Sequence, residues 1–168
     1  MFKKIYVAND HGGYSAKCLL LKYLKDKGIP AEDFGSHDDS IVRYPYYAAR
    51  VARSVIHDEG SGGILICSTG IGMSIVANKF KGIRAALCTD GYMAKMTRRH
   101  NDSNILCLGG KITGEFEICD IADNWLCNEY EGGRHDISLD LIKKAEKELF
   151  VDCECSCSLY NVNAEDML

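Results

Sequence analysis

Short apolar runs alternate along the chain with longer amphipathic stretches, and the alternation recurs about five times. Ile5-Tyr6-Val7-Ala8 predicts a first strand, followed closely by Gly12-Gly13. Over residues 14–27, Leu20, Leu21 and Leu24 share a face with Lys17 and Lys25 nearby, the spacing of a helix that Gly28 ends. A short extended segment at 31–34 leads into a polar loop holding Gly35, His37, Asp38 and Asp39. Pro45 opens a second helix through Tyr47, Val51 and Val55, closed near Gly60. Gly63-Ile64-Leu65-Ile66-Cys67 is too short for a helix and apolar throughout, as befits a parallel strand covered on both faces. Residues 68–74 form the next loop and helix start. Strands are predicted again at 83–88 and 105–108, with helices at 91–99, 115–128 and 138–150.

This β-α repetition predicts an α/β fold, an open five-stranded parallel sheet with helices on both faces. In such sheets ligands sit beyond the carboxyl ends of the strands, on the loops that lead into helices. Polar clusters fall there repeatedly: Asp10-His11 after the first strand, residues 67–74 after the third, Lys111 after the fifth. His100-Asn101 precede the fifth strand instead, at the wrong end for a site built from one chain.

The chain has 168 residues, a single domain's length. The pattern assigns 1–150 to that domain and 151–168 to a C-terminal tail containing Cys153, Cys155 and Cys157. A formal net charge of −4 gives no basic footprint for nucleic acid or an anionic membrane, so an anionic ligand needs a local site. No apolar run reaches the length of a transmembrane helix, and the first residues turn polar too soon for a signal-peptide core. The cysteines at 18, 67, 88, 107, 119 and 127 are scattered, without a disulfide framework, which predicts a reduced, cytoplasmic protein.

Cys67 ends an apolar strand and begins a glycine-bearing loop that runs into a helix. Backbone N–H groups there favour a thiolate, or an oxygen anion such as an enediolate or a phosphate. Gly70 and Gly72 let backbone approach a ligand, and Ser68, Thr69 and Ser74 add hydroxyls. A buried inert thiol beside a tight turn is the competing reading. The loop is not a dinucleotide fingerprint, because Ile75 occupies the third glycine position, and no P-loop is present.

Asp10 is either a proton or hydroxyl acceptor or a helix N-cap, and His11 either an anion ligand or solvated surface. Arg98 and Arg99 fit a helix C-terminus, and His100-Asn101 pairs an acid–base group with an amide. Arg134, after Gly132-Gly133 and before the final helix, either clamps a phosphate or forms a surface ion pair. The spacing of the five histidines and of the tail cysteines matches no metal site.

Taken in order, the motifs resemble the ribose-5-phosphate isomerase B family, which includes the galactose-6-phosphate isomerase subunits. The resemblance rests on Asn-Asp-His-Gly-Gly at 9–13, Tyr44-Pro45, and Gly-Gly-Ile-Leu-Ile-Cys-Ser-Thr-Gly-Ile-Gly-Met-Ser-Ile at 62–75. Further matches are Ala77-Asn78-Lys79, Gly82-Ile83-Arg84-Ala85, Arg99-His100-Asn101-Asp102 and Glu131-Gly132-Gly133-Arg134-His135. It implies a Rossmann-like three-layer α/β/α fold and aldose–ketose isomerisation of a sugar phosphate without metal or other cofactor. It also implies a homodimer or tetramer whose sites are shared between subunits.

On that resemblance Cys67 moves the proton between C1 and C2 through a cis-enediolate. His100 opens the sugar ring, assisted by Asp10. Thr69 and the backbone of Ser68, Gly70, Ile71 and Gly72 hold the enediolate oxygens, Asn101 the sugar hydroxyls, and His11 and Arg134 the phosphate. Lys111 and Ser138 stand where the family usually carries arginine, so the phosphate clamp is thinner and the substrate could be another sugar phosphate, such as an allose, galactose or tetrose phosphate. Two functions of other classes are compatible with the pattern: a non-catalytic sugar-phosphate-binding subunit, and a nucleotide-binding switch.

Overall fold

The computed structural model describes residues 2–149; the tail and its three cysteines lie outside the described residues. The chain runs β1 (Lys4–Asn9), a 3-10 turn (His11–Gly13), α1 (Tyr14–Asp26), β2 (Ala31–Asp33), α2 (Tyr44–His57), β3 (Ser61–Cys67) and α3 (Ile71–Ala77). It continues through β4 (Ala85–Leu87), α4 (Gly91–Asn101), β5 (Ile105–Gly109), α5 (Glu115–Leu126) and α6 (Arg134–Leu149). All four strand pairings are parallel, in the order β2-β1-β3-β5-β4.

Alternation along each strand sorts the core into two layers. Ile5, Val7, Ile64, Ile66, Leu106 and Leu108 pack with Leu20 and Leu24 of α1, Ala94 of α4, and Ile121 and Trp125 of α5. Tyr6, Ala8, Leu65, Cys67, Ile105 and Cys107 face the other way, onto Ala48, Val51 and Val55 of α2 and Met73 of α3. Every residue of β3 and β5 is buried, which is why those strands read as unbroken apolar runs. The three-layer α/β/α architecture is as expected. Among the described residues no helix is long and apolar enough to cross a membrane.

Several element boundaries shift from expectation, most by one or two residues, and three of the differences have a visible cause. Helix α4 runs two residues further, to Asn101, so His100 and Asn101 close a helix instead of lying in a connection. Asp102 caps it in the left-handed region (φ 46°), and Arg84 and Arg98 both grip the Asp102 carboxylate at 2.8 Å. Helix α6 begins at Arg134, one turn before the predicted 138. Gly132 and Gly133, at φ 65° and 63°, turn the chain sharply enough to start it there, so Arg134 lies inside the helix and not ahead of it. Strand β4 keeps only Ala85–Leu87 of the predicted 83–88, because the amide of Ile83 is spent in a turn to Phe80 and that of Arg84 on the Asn104 side chain.

The strand order reverses direction between β1 and β3: the connection after β1 leads to β2 on one side, and that after β3 to β4 on the other. This is the switch point at which open α/β sheets form their ligand crevice.

Candidate active site

At the carboxyl edge of this switch point, the loops after β1, β3 and β5 are packed without space for side chains. A Cβ on Gly12 would stand 2.2 Å from Ser68 Oγ, one on Gly13 2.4 Å from the Ile66 carbonyl oxygen, and one on Gly110 3.0 Å from the Gly12 carbonyl oxygen. Gly110 and Lys111 N–H donate to the carbonyls of Cys67 (2.7 Å) and Ser68 (3.1 Å), tying the third loop to the second. Asp10, His11, Cys67, Ser68, Thr69, Gly70, Ile71, Gly72 and Lys111 are thereby gathered on one edge, as the sequence predicts.

Cys67 is 5% exposed, and the Gly70 N–H donates to its sulfur at 3.1 Å. Gly70 holds that donor in place at φ 77°, where a Cβ would meet Leu87 at 2.6 Å and the Leu108 carbonyl carbon at 2.9 Å. Burial pushes the Cys88 thiol up to about 12 and that of Cys107 well above the usual thiol range. Among the described residues every cysteine is free.

Asp10 is buried and its Oδ1 accepts from Gly12 N–H at 2.9 Å, so it does cap the 3-10 turn. Burial raises its carboxyl above the usual range, partly offset by that N–H and by His11. His11 Nδ1 lies 3.3 Å from the Val42 carbonyl, half-buried against the segment before α2. That segment also brings Tyr44 over Gly72, where a Cβ would meet the ring at 2.8 Å.

His100, Asn101 and Arg134 lie elsewhere. They sit at the amino edge, where α4 leads into β5, whereas Cys67 pairs with Gly109 at the far end of β5. Roughly 13 Å of strand separates the two edges at about 3.3 Å per residue. One chain therefore carries two separate clusters on opposite edges of its sheet.

The amino-edge cluster includes two side chains, Glu131 and His135, that sequence reasoning left without a role. The Glu131 N–H donates to the Arg99 carbonyl (3.0 Å), its carboxylate forms a close ion pair with Arg99, and its Oε2 stands 3.6 Å from His100 Nε2 and 3.8 Å from His135 Nε2. The His100 and His135 rings stack at 4.1 Å with 14° between planes. Arg99 above all, with the two imidazoles, holds the Glu131 carboxyl below its usual range. The available signal was the four-residue step from Glu131 to His135, across a glycine pair that folds the chain back.

A model of the Ribose/Galactose Isomerase family matches residues 5–142. The chain belongs to that family. It is 42% identical over 145 residues to ribose-5-phosphate isomerase B of Escherichia coli K12, covering 86% of this chain and 97% of the relative. Among solved structures, ribose-5-phosphate isomerase B of Clostridium thermocellum superposes with a TM-score of 0.85 at 46% identity, covering 88% of this chain and 99% of that one. The Mycoplasma genitalium enzyme with bound ribulose-5-phosphate superposes with a TM-score of 0.82 at 37% identity, covering 86% and 97%. By family the protein is an aldose–ketose isomerase.

Proposed function

We propose that the protein interconverts an aldose phosphate and a ketose phosphate of the ribose 5-phosphate/ribulose 5-phosphate type, by proton transfer through a cis-enediolate. The observation that carries this reading is the sulfur of Cys67 at the carboxyl end of β3, at the switch point of the sheet, with a backbone N–H 3.1 Å from it and glycine-bearing loops packed on either side.

Cys67 takes the proton from C2 of the aldose and returns it to C1, so the electron pair stays within the enediolate and no redox partner is consumed. The negative oxygen that develops needs donors already aimed at it, and each such donor can contribute roughly 3 kcal/mol. Thr69 and the backbone of 68–72 fill that role. His100 opens the ring, assisted by Asp10, whose burial favours the protonated form that can donate to the ring oxygen. Asn101 binds hydroxyls, and His11, Lys111 and Arg134 bind the phosphate.

These roles need both edges, so the active unit is a homodimer or larger assembly in which the amino edge of one chain faces the carboxyl edge of another. The reading places the enzyme in a reducing cytoplasm, where Cys67 stays a thiol. Lys111 and Ser138 leave the phosphate with fewer bidentate donors than arginine would give, which opens the choice of sugar phosphate.

A panel of ribose 5-phosphate, allose 6-phosphate, galactose 6-phosphate and tetrose phosphates, each against its unphosphorylated sugar, tests the proposal. Conversion of one phosphorylated pair by the purified chain, lost in Cys67→Ala, is expected. Silence on every pair until another protein is added would favour a non-catalytic subunit. Thermal stabilisation by nucleotides but not by sugar phosphates would favour a switch module.

A further inference from the structure

We propose that His100, Glu131 and His135 form a binding site for a borderline transition ion, Zn2+ in particular, and that the ion inhibits the enzyme. The three ligand atoms lie within 4.8 Å of one another. Glu131 Oε2 is 3.6 and 3.8 Å from the two imidazole Nε2 atoms, too long for hydrogen bonds yet close to the roughly 3.3 Å that separates neighbouring ligands around a tetrahedral zinc with ~2.0–2.1 Å bonds. Glu131 Oε2 thus stands near ligand spacing from both imidazoles.

The ligand chemistry selects the ion. Two imidazoles and a carboxylate suit zinc and its neighbours, whereas magnesium or calcium prefers oxygen alone. Arg99 occupies the other Glu131 oxygen and leaves Oε2 toward the histidines. The same guanidinium opposes a cation, so the site is a moderate one. The rings lie nearly parallel, so chelation by both requires one to turn. His100, 33% exposed, has the room, and His135, 18% exposed, is the anchor. With three protein ligands a fourth position stays open to water.

The consequence for activity rests on the proposed function: an ion on His100 takes the lone pair that ring opening uses. Zinc binding is measured on the full chain with Cys153, Cys155 and Cys157 replaced by serine, by competition with a chromophoric chelator and by Co2+ absorption. One equivalent per chain is expected, with Co2+ d–d bands and no thiolate charge-transfer band at this site, and it is lost in His135→Ala and in Glu131→Gln. Melting curves confirm that both variants fold. Turnover falls about a hundredfold at saturating Zn2+ and returns with EDTA, while the activity that His135→Ala retains no longer responds. Equal zinc binding by wild type and both variants overturns the site. Binding that depends on His135 but leaves turnover untouched keeps the site and overturns the role given to His100.

Discussion

At the carboxyl edge of the sheet, Cys67 and Asp10 are fixed by main chain: the Gly70 and Gly12 amides hold them, and Gly12, Gly13 and Gly110 let three loops touch. At the amino edge of the same sheet, His100 is fixed by side chains, a stacked imidazole and a carboxylate anchored on Arg99, all partly open to solvent. The first arrangement has no slack, because backbone packed on backbone cannot give way. The second can shift, because ion pairs and half-exposed rings have other rotamers and respond to salt, pH and metal. The rigid edge suits the stabilisation of a developing oxyanion, which needs donors that do not reorganise. On the proposed function, the adaptable edge is the one that binds hydroxyls and phosphate across a subunit boundary.

The largest expected effect separates the edges by chemistry. Cys67→Ala lowers kcat by about a thousandfold or more with KM little changed, since the base is lost and the binding groups remain. His100→Ala costs about a hundredfold on a ring-closed sugar and much less on a substrate that cannot cyclise, such as a tetrose phosphate. Steady-state kinetics on both sugars checks this split, and an equal loss on both would remove His100 from ring opening.

Rigidity is tested next. Gly70→Ala puts a methyl into Leu87 and Leu108 at positive φ, which predicts a loss of roughly 1–3 kcal/mol in chemical denaturation together with a fall in kcat. Arg134→Ala, on the exposed start of α6, raises KM for phosphorylated sugars by about tenfold and leaves thermal stability unchanged.

The smallest effect is a stability difference at Asp10. Its folded pKa lies above the unfolded one, so its contribution to stability is present below the ordinary carboxylate range and is lost as pH rises through the folded value. Asp10→Asn, which carries no charge at any pH, therefore melts higher than wild type at neutral pH. The gain disappears as pH falls below about 4, where Asp10 is protonated in both states. Activity of the same variant falls, which separates its cost to folding from its use in the site.

The carboxyl edge was legible in the sequence because its candidate residues end an apolar run or follow within a few positions of one. Strand, glycine and site are contiguous, so Cys67 and residues 68–72 could be placed from the pattern alone. The amino edge was not. Glu131 and His135, four residues apart, reach His100 only because the α5–α6 connection folds back across the end of α4, and no local pattern links that step to a residue some thirty positions earlier. Helix ends misled for a related reason: Asp102 adopts a left-handed cap that only its grip by Arg84 and Arg98 explains, both remote from a propensity argument. The two-edge problem itself was visible, since His100 precedes β5 while Cys67 ends β3, and the register now fixes it.

Subunit complementation tests the central claim most directly. Cys67→Ala and His100→Ala chains, each at about a hundredth of wild-type activity or less on a ring-closed sugar, are mixed in equal amounts, dissociated and allowed to reassemble. If every site draws Cys67 from one chain and His100 from another, random assembly leaves about a quarter of the sites intact, and about a quarter of wild-type activity returns. Activity no greater than the sum of the two separate variants, in assemblies shown to have exchanged subunits, would contradict the shared site.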